Sequence, residues 1–109
     1  MRLNEQQITE RLAQLQGWSR QTQPECIIKT WTFDSFRSAT AFFVQAAELA
    51  EQHDHHPEFV SLYTHMQVRL WTHAASGLTD KDFDFAWAMD RLTEAMGSSC
   101  MNRLPKRQK

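Results

Sequence analysis

The chain has 109 residues, of which 41% are hydrophobic and 23% charged, with three glycines and three prolines. That is enough for one domain with a real core and too little for two, and it excludes a disordered chain, a collagen-like repeat and a linker-rich array. A formal net charge of −1 gives no overall pull toward nucleic acid or an anionic membrane.

In chain order, Asn4 and Gln7 make a capping-box pattern for a first helix. Ile8, Leu12 and Leu15 follow at helical spacing, with an end near Gly17. A polar stretch from Gly17-Trp18 to Pro24 predicts a short strand and a turn. Residues 26–33 then alternate as a strand, with Ile27, Lys29, Trp31 and Phe33 on one face and Ile28, Thr30 and Thr32 on the other. Asp34 or Ser35 caps a long helix whose apolar stripe is Phe36, Ala39, Phe43, Ala46, Ala47 and Ala50. It runs to about Gln52, because Pro57 disfavours helix at and before its own position. Residues 59–63 and 66–73 suit two strands of a hairpin joined by Thr64-His65. Thr79 with Asp82 forms a capping box opening a last helix with the stripe Phe85, Met89, Leu92 and Met96. Phe83 and Trp87 lie on its other side and need a second partner.

The order α-β-β-α-β-β-α predicts an α+β domain over residues 1–102: a four-stranded antiparallel sheet with three helices packed on one face. Trp31, Arg69 and Trp71 are expected on the less covered face. Residues 103–109 carry four positive charges and form a short basic tail expected to be solvated and disordered. Cys26 and Cys100 lie far apart with no CxxC spacing, as in a reduced intracellular protein. The first residues hold no apolar signal core and no run reaches membrane-spanning length, so a cytoplasmic protein is expected.

The histidines carry the chemistry. His53, His55 and His56 fall between Glu51 and Pro57, and His73 follows seventeen residues after His56. Hairpin register brings His73 back toward the His55-His56-Pro57 elbow, and Asp82 can approach the same end of the sheet. Three readings stay open. The cluster can ligate a metal, although HExxH and cysteine pairs are missing. It can perform acid/base work, since histidine's unperturbed pKa of about 6.5 suits proton exchange near neutrality. Or His55 serves only the helix end and His56 is a surface elbow residue. Glycines at 17, 77 and 97 cannot build a phosphate loop, and no nucleophile motif occurs. His53 and His65 read as solvent residues.

Glu51, His55-His56-Pro57, Tyr63, Thr72-His73 and Asp82, with Gly17-Trp18 and the strand around Trp31, resemble the pterin-4a-carbinolamine dehydratase family over roughly residues 5–96. The resemblance implies the same α-β-β-α-β-β-α fold. It also implies a hydro-lyase that converts 4a-hydroxytetrahydrobiopterin to quinonoid dihydrobiopterin and water, recycling the cofactor of aromatic amino acid hydroxylases without a metal or organic cofactor. Carried over, His55, His56, His73 and Asp82 are the catalytic set, and Glu51, His55, His56, Pro57, Thr72 and His73 contact the pterin. His56 and His73 would exchange protons, His55 would position the 4a-hydroxyl, and Asp82 would orient His73. Two departures from the family pattern stand out: Phe59 is where tryptophan is usual, and Ala74-Ala75 follow His73.

The resemblance further implies a homodimer or a dimer of dimers, in which Trp71, Phe83 or Trp87 would find a partner surface. An aromatic amino acid hydroxylase is the expected source of substrate, and no nucleic acid or membrane partner is expected. The competing function is a non-catalytic dimerisation or binding module of the same fold, since some family members serve a homeodomain transcription factor in that way. A retired active site would not need all three imidazoles together with Asp82.

Overall fold

Both predicted capping boxes form in the computed structural model, which describes residues 1–104. Asn4 and Gln7 satisfy each other's backbone N–H groups. At the last helix the Thr79 N–H donates to the Asp82 carboxylate at 3.0 Å. These caps satisfy amides that the first turn leaves unpaired. The elements are α1 (Glu5–Ala13), β1 (Ser19–Thr22), β2 (Glu25–Thr32), α2 (Phe36–His53), β3 (Glu58–Leu62), β4 (His65–Leu70) and α3 (Asp80–Met96). Single 3-10 turns occur at His73–Ala75 and Gly97–Ser99. All strand pairs are antiparallel, in the order β1-β2-β4-β3.

Register decides which side chains meet the helices. Ile27 faces Leu70, Lys29 faces Val68 and Trp31 faces Met66, and all six are buried. The five apolar ones meet Ala39, Phe42, Ala46 and Ala50 of α2 and Phe85, Ala86 and Met89 of α3 in one core. Burying a side chain the size of Phe42 contributes roughly 1.5–3 kcal/mol. Arg20 lies opposite Ile27 on this face and holds Glu5 of α1 with two hydrogen bonds of 2.7 Å. All three helices therefore lie on one side. On the other face Ile28, Thr30, Gln67 and Arg69 are half-buried or exposed.

Several expectations need correcting. Trp31 is on the covered face, fully buried against Trp18 and Phe42 at 5.4 and 5.1 Å between ring centroids; Arg69 lies on the open side, and Trp71, just past β4, is half-buried and packs against the core. The α2 stripe buries Phe42, while Phe43 is 40% exposed, because the neighbours of Ala39 and Ala46 at three- and four-residue spacing include both positions and only the first faces the sheet. Phe83 is buried rather than unpartnered, and lines a cleft between α1 and α3 with Leu15 and Trp87. β4 stops at Leu70, so His73 opens a 3-10 turn. The basic tail beyond residue 104 lies outside the described residues. Among the described residues no helix is long and apolar enough to cross a membrane.

Candidate active site

The end of α2 sets the site. Asp54 closes the helix in the left-handed region with φ 49°, a conformation that aspartate tolerates better than most residues. The His55 N–H then bonds back to the Ala50 carbonyl at 3.0 Å. This turn carries His55 inward, to 8% exposure. Pro57 cannot continue a helix, and β3 begins at the next residue.

His55 Nε2 lies 2.6 Å from Asp82 Oδ1. Asp82 is fully buried, and its Oδ2 accepts hydrogen bonds from the Thr72 hydroxyl at 2.9 Å and the Thr79 N–H at 3.0 Å. A buried carboxylate requires such partners. Thr72 reaches it because an isolated bridge pairs Thr72 with Gly77 just beyond β4, folding the loop back toward α3. Asp82 thus has two tasks, completing the α3 capping box and gripping His55.

His56 turns outward and meets Glu51, with Nε2 2.7 Å from Oε2. The pair is largely exposed, so it orients the ring more than it stabilises the fold. His73 is exposed, its ring centroid 4.8 Å from that of Trp71. The last β3–β4 rung is Glu58 with Arg69. The elbow of residues 55–57 and the segment 71–73 therefore leave the sheet at the same end.

The site residues divide in three. His55, Thr72 and Asp82 are joined directly, Glu51 and His56 form a pair of their own, and Pro57 and His73 flank them. The expected Asp82–His73 contact is not made: Asp82 holds His55 instead. The ladder on β4 runs out at Leu70 because β3 starts only after Pro57, so His73 leaves the strand before it can turn toward α3. Thr79, read from the sequence only as a cap, was missed as a site residue. Its place beside Thr72, 2.7 Å between hydroxyl oxygens, depends on the Thr72–Gly77 bridge, for which the sequence carries no signal.

Burial pushes the thiols of both Cys26 and Cys100 up, away from activated-nucleophile behaviour. Among the described residues no group of three histidine, cysteine or acidic side chains is arranged to hold a metal ion. What the arrangement offers is one imidazole fixed on a buried carboxylate and two exposed imidazoles nearby, a set suited to placing a polar group and moving protons around it.

The sequence profile of the family described as Pterin 4 alpha carbinolamine dehydratase matches residues 1–92. A protein of Rhodopseudomonas palustris (strain BisB18) named "Putative pterin-4-alpha-carbinolamine dehydratase" is 40% identical over 91 residues, spanning 84% of this chain and 90% of that one. The crystal structure of a transcriptional coactivator/pterin dehydratase from Brucella melitensis superimposes with a TM-score of 0.81 at 37% identity, covering 84% of this chain and 98% of that one. A pterin dehydratase-like protein identified as a RuBisCO assembly factor in the alpha-carboxysome superimposes with a TM-score of 0.62 at 26% identity, covering 76% of this chain and 93% of that one.

Proposed function

The chain belongs to the pterin 4 alpha carbinolamine dehydratase family, and from that premise we propose that it dehydrates 4a-hydroxytetrahydrobiopterin to quinonoid dihydrobiopterin and water. The observation that carries this reading is His55, locked at 2.6 Å on a fully buried carboxylate at the sheet end where His56 and His73 also emerge. A surface used only for docking has no need of that arrangement.

The elimination breaks the C4a–O bond, places a proton on the departing hydroxyl and removes the proton from N5. An imidazolium supplies the first proton and a neutral imidazole takes the second, each transfer contributing roughly 10²–10⁴-fold. His56 and His73, the exposed pair, are assigned these steps. His55 positions the 4a-hydroxyl, Glu51 steadies His56, and Thr72 and Pro57 border the pterin. A hydroxylase of aromatic amino acids, which leaves the pterin hydroxylated at C4a, is the reaction class that supplies the substrate.

A second reading, assembly rather than catalysis, has its own support. Phe36, Phe43, Val44, Leu62 and Tyr63 are all exposed, and Phe36 and Tyr63 stack at 6.1 Å. Phe36 and Phe43, with Phe59, border a groove of about 200 Å³ between α2 and the edge strand β3. Such a patch fits a homodimer or dimer of dimers.

The deciding experiment follows dehydration of freshly generated 4a-hydroxytetrahydropterin by ultraviolet absorbance, with and without chelator. Chelator-resistant acceleration that falls by roughly 10²-fold or more in His56→Ala and in His73→Ala supports the dehydratase. A folded wild-type protein that gives no acceleration transfers the assignment to the assembly role.

A further inference from the structure

Four side chains outside the exposed histidine pair form a single directed hydrogen-bond chain. The Thr79 N–H donates to Asp82 Oδ2 at 3.0 Å, and the Thr72 hydroxyl lies 2.9 Å from the same oxygen. A backbone N–H can only donate, so Oδ2 is an acceptor. The single hydrogen of the Thr72 hydroxyl is used on Asp82, and its oxygen is 2.7 Å from the Thr79 hydroxyl, which accordingly points its own hydrogen at Thr72. The Thr79 oxygen is left to accept the Lys81 N–H at 3.3 Å.

The other carboxylate oxygen meets His55 Nε2. Hydrogen bonds donated to a carboxyl group favour its charged, acceptor-only form, so the hydrogen between the two side chains is placed on nitrogen. In the neutral ring Nε2 is then the N–H and Nδ1 carries the lone pair. Among the described residues Nδ1 has no hydrogen-bond partner, and it is not among the buried side-chain atoms left without one.

We infer that Thr79 and Thr72 are positioning residues that act through Asp82 to hold His55 as its Nε2–H tautomer, with Nδ1 presented as the acceptor for the hydrogen of the substrate's hydroxyl group. This rests on the dehydratase reading for the identity of that hydroxyl, while the tautomer is a property of the free protein. The bland alternative is that Thr79 and Asp82 merely cap α3. Thr72 separates the two, because its hydroxyl takes no part in the cap.

The test is nitrogen-15 NMR of the histidine-labelled free protein at a pH where the rings are neutral. The wild type should show Nε2 of His55 as the protonated nitrogen and Nδ1 as the bare one. Thr72→Val, nearly isosteric and with the cap intact, should mix the two tautomers and lower kcat for dehydration about tenfold. Thr79→Ala should act in the same direction and Thr79→Ser should restore the wild-type signature. Asp82→Asn, whose amide can donate to Nε2, should invert the tautomer. A wild-type protein with the Nδ1–H signature overturns the inference even if no variant folds, as does a folded Thr72→Val whose signature and kcat are unchanged. The Nε2–H signature without dehydration by the wild type sinks the dehydratase reading and leaves the positioning chain standing.

Discussion

Lys29 occupies a core position between Ile27 and Trp31, with its side chain only 3% exposed. It is accommodated by Asp90 at 2.7 Å, the Gln16 carbonyl at 3.0 Å and the face of Trp31 at 5.0 Å. Gly17, in the left-handed region with φ 81°, leaves room beside it: a Cβ there would come within 3.0 Å of the lysine chain. Burial pushes the Asp90 carboxyl up, opposed by hydrogen bonding and charge from Lys29 and by the Trp18 N–H. Lys29→Met removes the countercharge and should cost about 3–5 kcal/mol, whereas Lys29→Met with Asp90→Leu should recover most of it. The sign of the pH dependence follows. Burial raises the Asp90 carboxyl, and with the opposing Lys29 charge removed the folded variant releases that proton at a higher pH than its unfolded chain does. The Lys29→Met variant should therefore lose stability as pH rises above the ordinary carboxylate range, and urea midpoints at about pH 4 and about pH 7 would read this out. The strand pattern put Lys29 on the same face as Trp31. It did not reveal that this face was the buried one, because Asp90 is sixty-one residues away.

Between elements, Arg20 staples the β1–β2 hairpin to α1 by pairing with both Glu5 and Glu25. Hydrogen bonding and charge from Arg20 hold the Glu5 carboxyl below its ordinary value. At Glu25 burial works upward, but hydrogen bonds from Arg20 and the Leu78 N–H, with the charges of Arg20 and Arg2, leave it lowered. A depressed native carboxyl stabilises fully above the unfolded value and loses that contribution as pH falls through the native one. Arg20→Ala should therefore melt below the wild type near pH 7, and the gap should narrow as pH approaches about 3; a constant gap would deny the staple. The chain's last described residues make a different junction. The Met101 N–H bonds to the Thr32 carbonyl at 2.7 Å, and the Asn102 side chain bonds to the Thr30 carbonyl and the Thr32 N–H at 2.9 and 2.8 Å. They cover the half of β2 that the short β1 leaves unpaired, as open edges invite association. Here the sequence offered capping boxes and periodicity for the helices and strands, but no cue for a lone asparagine standing in for a strand.

Across the whole molecule, the exposed aromatics Phe36 and Phe43 lie on α2, and Tyr63 follows the edge strand β3. Trp87, 38% exposed, belongs to the separate α1–α3 cleft. An assembly through the α2–β3 patch predicts that Phe43→Glu or Phe36→Glu, each placing a charge in an apolar contact, converts the proposed dimer or tetramer to a monomer by light scattering while the chain stays folded. A wild type that is monomeric at tens of micromolar would refute that surface as a self-association site. The family resemblance implies this role for Trp71, Phe83 or Trp87. Phe83 is instead used inside the chain, and Trp71 packs on His73.

By itself the sequence determined the family, the element order, the caps of α1 and α3, and the arrival of three histidines at one end of the sheet. Those properties follow from local chemistry and spacing: a capping residue, a period of two or of 3.6, and a proline after a histidine doublet. Only the tertiary structure decided which imidazole Asp82 grips, whether Phe42 or Phe43 is core, and that Thr79 stands behind Thr72. Each of these depends on where a strand ladder runs out or how one element rotates against another. That is set by packing between residues distant in the chain, and one residue of register or one step around a helix reverses the outcome.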